Sequence, residues 1–456
     1  MRRHWPASLN IWRGDVMGVS TAYWCEWAWL PGGPVPGVLV ETEDGRITSV
    51  SEVDDPGGAR RLGGLVLPGM ANAHSHAFHR ALRGRTSAGK GTFWTWRDQM
   101  YKVAARLDPE SYHRLATAVF AEMALSGMTC VGEFHYLHHA PGGQRYSDPN
   151  AMGAALAQAA ADAGIRLTLL DTCYLAGGFG KPVEGVQLRY TDGDVSAWAD
   201  RVDEFKPAGD HVRVGAALHS VRAVPAEAIP GVVEWAGGAD APLHAHLSEQ
   251  RAENEACLAA HGCTPTQLLA SHGALGESTT AVHATHLAPG DLPLLGGSGT
   301  GVCLCPTTEA DLADGIGPAS ALAVAGSPLS VGSDGHSVID QFAEVQAVES
   351  YMRLSQETRG NFTPADLVTM ATASGHRALG WSDAGWIGAG ARADLVAVGL
   401  DSARLAGVPP EAVVSAASAD DVRDVVVDGR LVVRDGTHRL VPDLAERMRD
   451  SVAALL

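Results

Sequence analysis

Short apolar runs alternate with segments of helical periodicity through the middle of the chain. Two of the intervening segments, 109–127 and 150–164, place apolar residues at helical spacing and end in glycine. Strands and helices that alternate eight times predict an α/β fold, the (β/α)8 TIM-type barrel. A doubly wound open sheet is the alternative. The eight apolar runs cover residues 65–70, 129–134, 165–171, 212–218, 241–247, 280–283, 300–304 and 328–333.

Both ends of the chain have the pattern of β-hairpins. Apolar residues alternate on either side of Asp-Gly pairs at 44–45 and 428–429, which is a strong hairpin signal. We therefore expect a smaller β-sandwich domain built from both termini, residues 1–67 and 381–456, around a barrel of residues 68–380. Residues 1–16 precede Met17, which opens a smoother segment, and they can be read as a disordered extension from an upstream start codon.

Composition and charge narrow the class of protein. The chain has 456 residues, of which 46% are hydrophobic and 19% charged, as expected for a globular protein with a large core. A net charge of −18 argues against nucleic acid or an anionic membrane as a partner. Seven scattered cysteines form no disulfide framework, and no apolar run is long enough to span a bilayer. We expect a cytoplasmic protein.

Polar residues able to bind a metal fall at the ends of the predicted strands. A barrel places its active site at the carboxyl ends of its strands, so these residues should meet. His74 and His76 lie two positions apart in extended chain and can present two imidazoles to one ion. The set comprises His74 and His76 after the first run, His219 after the fourth, His244 and His246 in the fifth, His283 in the sixth and Asp334 after the eighth.

Three imidazoles and one carboxylate suit a borderline divalent ion such as zinc and leave a position for water, so the metal should be catalytic. The same ligands would also take iron or manganese. We favour His246 over His244 because Glu249 follows three residues later and could shuttle protons, which leaves His244 as a core or outer-shell histidine. His286 is read in the same way as His244. His138 and His139 are interpreted as a solvated loop pair.

Motifs along nearly the whole chain resemble the amidohydrolase superfamily. The stretches "LVLPGMANAHSH" (65–76) and "WIGAGARADLVAV" (386–398) look like its usual segments before and after the barrel. Strand four carries no lysine that could bridge two metals, so the resemblance is to the mononuclear deaminase branch, with one zinc. Within that branch "HSHAFHRAL", "FWTWRDQMY", "VGEFHYLHH", "LHSVRAVP", "HLSEQ" and "CPTTEADLADG" are similar to the formimidoylglutamate deiminase family.

That resemblance implies hydrolysis of N-formimino-L-glutamate to N-formyl-L-glutamate and ammonia, in histidine degradation, by a homodimer. It makes Glu249 and His283 catalytic, and makes Asp334 both a ligand and the general base. Relatives often have Gln at the position of His79 and Ser at that of Gly335, and we expect both differences to alter contacts to the substrate. The zinc ligands implied are His74, His76, His246 and Asp334, and the substrate-binding residues are His79, Arg97, Tyr136, His219 and Arg222.

The proposed substrate is a small dicarboxylate amidine, and two arginines are what an acidic protein would need to bind its carboxylates. One rival is deamination of a purine, pyrimidine or triazine ring at the same metal site, for which "FWTWRDQMY" supplies stacking aromatics. Another is a catalytically silent, metal-bound scaffold. The retention of the ligands together with the proton shuttle argues against the scaffold.

Overall fold

The computed structural model describes residues 20–86 and 93–456, without the side chains of residues 93 and 94. The reading of residues 1–16 as an extension therefore lies outside the described residues. No helix in the described part of the chain has the length and apolarity needed to cross a membrane.

Eight parallel strands in chain order form the barrel that the alternating pattern predicts. A bridge between Ser75 and Asp334 joins the first strand to the segment after the eighth, and the Asp334 amide donates to the His74 carbonyl at 3.0 Å. The open-sheet alternative is wrong because these contacts close the sheet. The strands are β5 (Met70–Ser75), β6 (Met128–His135), β7 (Arg166–Cys173), β8 (Val212–Leu218), β9 (Leu243–Leu247), β10 (Thr279–His283), β11 (Gly301–Leu304) and β12 (Leu329–Val331).

A second eight-stranded sheet takes strands from both termini, as expected. Its two Asp-Gly hairpins are confirmed, and Asp44 and Gly45 both have positive φ, at 50° and 79°, as a tight hairpin turn requires. The domain boundaries themselves stay a prediction. The strands are β1 (Ser20–Leu30), β2 (Gly33–Glu43), β3 (Arg46–Glu52), β4 (Arg60–Pro68), β13 (Leu395–Val398), β14 (Val422–Val427), β15 (Arg430–Arg434) and β16 (Thr437–His438).

The first predicted barrel strand, residues 65–70, is placed wrongly. Most of that run is the end of β4, which pairs with β13 in the terminal sheet, and the barrel begins only at Met70. The chain passes between the two sheets at Gly69, where a Cβ would lie 2.4 Å from the Thr129 hydroxyl oxygen. Because both strands are buried, the apolar pattern runs through the junction and does not mark it.

Helices connect the barrel strands. Asp108 caps α2 by accepting from the Ser111 amide at 2.7 Å, and α3 ends at Gly164 with φ 75°, so both predicted helical segments are confirmed. The helices are α1 (Phe93–Arg106), α2 (Pro109–Leu125), α3 (Ala151–Ala163), α4 (Val195–Glu204), α5 (Ile229–Gly238), α6 (Arg251–His261), α7 (Pro265–Ser271), α8 (Asp291–Gly297), α9 (Pro306–Asp311), α10 (Ala319–Ala325), α11 (Gln341–Gln356), α12 (Pro364–Thr369), α13 (Gly375–Ala378) and α14 (Leu444–Ala453).

Candidate active site

The polar side chains expected at the strand ends meet at one end of the barrel. His74 lies in β5 and His76 just after it, His246 lies in β9, His283 ends β10, and Asp334 follows β12. All five residues are buried. Parallel strands bring their carboxyl ends to one edge of a barrel, which is why residues far apart in the chain become neighbours here.

Three imidazole nitrogens and a carboxylate oxygen converge on one point. The Nε2 atoms of His74 and His76 each lie 3.4 Å from Oδ1 of Asp334. Nε2 of His246 lies 3.1 Å from Nε2 of His74. Zinc–ligand bonds of about 2.0–2.2 Å place tetrahedral ligand atoms roughly 3.3–3.6 Å apart. Two of the three distances fall in that range and the third, 3.1 Å, is slightly shorter, so the spacing is close to what a single ion of this size requires.

Hydrogen bonds to backbone carbonyls fix the tautomers of two of these histidines. Nδ1 of His76 lies 3.0 Å from the Phe134 carbonyl oxygen, and Nδ1 of His246 lies 2.9 Å from that of His219. A carbonyl oxygen only accepts, so Nδ1 carries the proton and Nε2 turns a lone pair to the centre. Burial lowers the pKa of His76 to about 3 and that of His246 well below its usual range. Neutral imidazoles with inward lone pairs fit a divalent cation.

The backbone around this centre is unusual. Five non-glycine residues at the carboxyl ends of β9, β10 and β12 have left-handed φ angles between 39° and 71°. Such conformations cost on the order of 1–3 kcal/mol each and persist where surrounding contacts enforce them, often at functional sites. The fold therefore holds these side chains in orientations that a relaxed chain would not adopt. The residues are Ser248, His283, Ala284, Asp334 and His336.

Two further titratable groups, His283 and Glu249, lie beside the convergent nitrogens. Nε2 of His283 lies 3.8 Å from Oδ2 of Asp334 and 4.0 Å from Oε1 of Glu249. Burial raises the pKa of Glu249 to about 7, which outweighs the opposing effect of His283. Burial alone would lower the pKa of His283, but Glu249, Asp334 and Glu309 together hold it well above its usual value. The arrangement can hold and release protons near neutral pH.

A cavity of about 70 Å³ opens beside these groups, and all the residues predicted to bind substrate line it. Its wall also includes Ala176, Gly177 and Gly178, from the loop that follows β7. Nε2 of His79 lies 2.9 Å from the Tyr136 hydroxyl oxygen. The roles of these residues stay predictions. The predicted substrate residues on the wall are His79, Arg97, Tyr136, His219 and Arg222, and aromatic rings come from Trp96, Tyr101, Tyr136, Tyr174 and Tyr190.

Sequence reasoning missed three buried carboxylates around the site, of which Glu133 is the first. Glu133 accepts hydrogen bonds from the Ser75 hydroxyl at 2.6 Å and from the Ala77 amide at 2.7 Å. These bonds stabilise the segment of backbone that carries His74 and His76. Burial raises the pKa of Glu133 to about 8. An acidic residue near the end of a buried strand is the same signal that identified Asp334, and it could have found this residue too.

The other two missed carboxylates are Glu309 and Glu253. Glu309 lies 3.3 Å from Nδ1 of His283 and accepts from the Cys305 amide at 2.9 Å, which orients the imidazole. Glu253 accepts from the guanidinium of Arg222 at 2.7 Å. Glu309 stands in the motif "CPTTEADLADG", and Glu253 follows Glu249 by about one helical turn, so each had a signal that was not used.

The interpretation of His138 and His139 as a solvated pair is wrong. Both side chains are buried, because their backbone amides donate to the Arg189 carbonyl and hold the loop against residues 189–192. Nε2 of His139 lies 3.0 Å from Oδ1 of Asp192. A polar loop sequence gave no sign that a second loop covers it.

His244 and His286, which the sequence analysis leaves out of the ligand set, both lie against backbone carbonyls, and their roles stay predictions. Nε2 of His244 lies 2.8 Å from the Ala378 carbonyl oxygen, and the residue is fully buried. Nε2 of His286 lies 2.8 Å from the Asp314 carbonyl oxygen. His244 therefore has the environment of a core histidine, whereas His286 is only partly buried.

A second buried group has the composition of a metal site. His135, His138 and Asp171 offer ligand atoms within 4.8 Å of one another. However, the guanidinium of Arg201 already donates to both oxygens of Asp171, at 2.8 and 2.9 Å. An internal cation therefore neutralises this carboxylate, and we interpret the group as an ion-paired part of the core.

Known proteins resemble the chain over nearly its whole length. It is 37% identical to formimidoylglutamate deiminase of Pseudomonas aeruginosa, over 92% of this chain and 96% of that protein. It is 31% identical to 8-oxoguanine deaminase of the same organism, over 82% and 83%. A crystal structure of an amidohydrolase from Brucella melitensis superposes with a TM-score of 0.88 at 31% identity, over 95% of this chain and 99% of that one.

The sequence pattern of the amidohydrolase family matches residues 65–432, which include every barrel strand and every residue of the site described above. The family match, the relatives and the barrel agree, and the resemblance drawn from the motifs is confirmed. The chain belongs to the amidohydrolase family.

Proposed function

We propose that the protein hydrolyses N-formimino-L-glutamate to N-formyl-L-glutamate and ammonia, using one zinc ion per subunit. The observation that carries the proposal is that two arginines, Arg97 and Arg222, line the same cavity as the metal-binding histidines. The substrate carries a cationic amidine at one end and two carboxylates at the other, and guanidinium groups bind carboxylates through paired hydrogen bonds. The 37% identity to a formimidoylglutamate deiminase supports the same substrate.

The metal would be held by the three imidazoles of His74, His76 and His246 and by the carboxylate of Asp334. When bound, such an ion supplies Lewis acidity, which makes water a nucleophile at neutral pH. The neutral tautomers of His76 and His246 already present the required lone pairs. The same donors would also take iron or manganese.

The protein's own groups then move the protons. Asp334 accepts one proton of the attacking water as the oxygen of that water bonds to the amidine carbon, and its position next to the convergent nitrogens supports that role. The second proton of the water passes to the Glu249 carboxylate after Glu249 has protonated the leaving nitrogen, so that the C–N bond breaks and the C=O bond forms. Glu249, whose pKa burial raises to about 7, donates a proton to the amidine nitrogen, so that ammonia leaves. His283 donates a hydrogen bond from Nε2 to the developing oxyanion, and Glu309 orients it by accepting from Nδ1.

The remaining residues of the cavity would hold the substrate in place. Arg97 and Arg222 bind the two carboxylates. His79 and Tyr136 form a hydrogen-bonded pair in the wall, and the family resemblance implies that relatives often have Gln at the position of His79. His219 also lines the cavity, and its backbone carbonyl fixes the tautomer of His246.

A second candidate function is deamination of a heteroaromatic ring. Five aromatic side chains line the cavity and could stack on a flat substrate, and one relative at 31% identity is an 8-oxoguanine deaminase. A ring substrate has no carboxylates to occupy the arginines. The arginine pair therefore favours the linear amidine.

The test compares both substrates on the zinc-loaded enzyme and on three single variants, Arg97→Ala, Arg222→Ala and, as a matched control, the exposed Arg145→Ala. We expect ammonia release from N-formimino-L-glutamate but not from 8-oxoguanine. Each cavity arginine variant should lose at least about tenfold in kcat/KM, since a charge-assisted pair is removed, and Arg145→Ala should match the wild type. Turnover of 8-oxoguanine that is insensitive to both cavity arginines would instead establish the ring substrate.

A homodimer and a cytoplasmic location complete the proposal. Both rest on the superfamily resemblance and on the composition of the chain, and both stay predictions. Size-exclusion chromatography with light scattering would measure the oligomeric state directly.

A further inference from the structure

A buried carboxylate links the arginine of the cavity to the turn that carries the proton donor. Glu253 lies in the first turn of α6 and is 2% exposed. Its Oε2 accepts from Nε of Arg222 at 2.7 Å, and its Oε1 accepts from the backbone amide of Ser248 at 3.0 Å. One side chain therefore contacts two separate parts of the active site with its two oxygens.

The contact to Ser248 acts on the position of Glu249. Ser248 directly precedes Glu249 and has a left-handed φ of 51°, which a serine seldom adopts without support. Its carbonyl oxygen accepts from the His286 amide at 2.9 Å, and its amide donates to Glu253. Loss of the second contact would leave a buried amide without its acceptor and free the turn to relax.

The contact to Arg222 acts on the guanidinium. Of the three guanidinium nitrogens of Arg222, only Nε has a hydrogen-bond partner among the described residues. The two Nη groups therefore remain for a carboxylate of the ligand. Burial alone would lower the pKa of Arg222, but the neighbouring Glu253 raises it. Because the guanidinium is planar, anchoring Nε fixes the plane in which the Nη groups lie.

We propose that Glu253 is a positioning residue that couples recognition of the substrate carboxylate to the placement of Glu249. This inference rests on the proposed function. Glutamine would keep the shape of the side chain but not its two acceptors, since one end of an amide donates. In Glu253→Gln a single acceptor oxygen therefore faces two N–H donors. Either the hydrogen bond from Arg222 or the one from Ser248 must be lost.

The experiment measures kcat and KM for N-formimino-L-glutamate in the wild type, Glu253→Gln, Arg222→Ala and the double variant, each zinc-loaded. Glu255→Gln, an exposed position on the same helix, is the matched control. We expect Glu253→Gln to lose about a hundredfold in kcat/KM through a misplacement of about 1 Å, with changes in both constants. Metal content and thermal unfolding of each variant show that the site is assembled.

The double variant separates positioning from general damage. Without the guanidinium, the single acceptor of the glutamine can still serve the Ser248 amide, so Glu253→Gln should change both kcat and KM much less than it does in the presence of Arg222. The proposal would be overturned if Glu253→Gln changed KM equally with and without Arg222. It would also be overturned if the kcat and KM of Glu253→Gln matched those of Glu255→Gln. Should Glu253→Gln fail to fold, Arg222→Lys removes the same Nε contact from the other side, and wild-type KM in that variant would also overturn it.

Failure of the proposed function has a different signature. A zinc-loaded wild type that releases no ammonia from N-formimino-L-glutamate would refute that function and this inference with it. An active wild type whose kinetics are insensitive to Glu253 would refute the positioning role alone.

Discussion

Two buried groups in the barrel contain histidines and an aspartate, yet they differ in what neutralises the carboxylate. In the cavity group the partners of the carboxylate are imidazoles at 3.4 and 3.8 Å. In the ion-pair group a guanidinium and the Trp198 indole already contact it, and the pKa of Asp171 is lowered to about 2 although burial opposes this. The cavity group is His74, His76, His246 and Asp334, and the ion-pair group is His135, His138, Asp171 and Arg201.

The difference shows that histidine and carboxylate content does not by itself define a metal site. A buried carboxylate needs a positive partner, and the fold supplies one from its own sequence in the ion-pair group. In the cavity group, as far as the structure describes the chain, no lysine or arginine contacts the carboxylate. The nearest internal cation is the imidazolium of His283, 3.8 Å from Asp334, and the opening to a cavity leaves room for an external cation beside it.

The largest expected effect comes from removing the carboxylate of the cavity group. Asp334→Asn should lower turnover by about 10⁴-fold or more, because a ligand and the general base are lost together. Asp171→Asn is the matched control in the ion-pair group and should retain activity and one metal per subunit. Metal analysis and steady-state ammonia release measure both. Comparable loss of metal in the two variants would erase the distinction between the groups.

The next effect concerns the proton donor beside the cavity group. Glu249→Gln should keep the metal and lose about 10²–10⁴-fold in kcat, the usual contribution of general acid–base catalysis. Because burial raises the pKa of Glu249 to about 7, the donor is protonated below that pH, and wild-type kcat should fall as the pH rises past 7. The residual activity of the variant should lack this fall. Near-normal turnover of Glu249→Gln would exclude it as the proton donor.

Removal of the internal cation tests the ion-pair group by stability. Arg201→Met should lower the free energy of unfolding by about 3–5 kcal/mol, since it leaves buried carboxylates without their partner. Denaturant unfolding measures this change. A loss below about 1 kcal/mol would show that solvent or the nearby histidines can replace the guanidinium, against a structural role for the pair.

The smallest effects are expected at Gly335 and His79, the two positions where the family resemblance leads us to expect a different residue. A Cβ on Gly335 would lie 3.4 Å from the Thr308 side chain, which is an ordinary contact distance. Gly335→Ser should therefore leave kcat/KM within about threefold, as expected of a substitution that the surroundings tolerate. His79→Gln can keep the hydrogen bond to Tyr136 and should change KM by less than about tenfold. Larger losses would identify either position as a determinant of the substrate.

The sequence was sufficient to predict the barrel and to select the four residues that meet in the cavity group, whose role as metal ligands stays a prediction. Seven of the eight predicted strands coincide with barrel strands, because each is a short apolar run bounded by helical segments. The first was misplaced because β4 and β5 are both buried and meet at Gly69. Local periodicity does not reveal a change of sheet within one continuous apolar run.

The supporting residues were harder to predict because their roles depend on long-range contacts. His138 and His139 look like a polar loop until residues 189–192 cover them. Glu253 looks like an ordinary helical residue, and only the fold brings Arg222 to it. Residues that touch an ion or a substrate leave a local pattern, whereas residues that hold them in place often do not.

A metal titration of the stripped protein tests the central claim most directly. Zinc is added in steps to a known concentration of protein, and bound metal and ammonia release from N-formimino-L-glutamate are measured on the same samples. We predict no release without metal and a linear rise of activity that stops at one equivalent per subunit. Activity in the stripped protein, or activity that reaches its maximum only at two equivalents, would contradict a single metal centre in the cavity group.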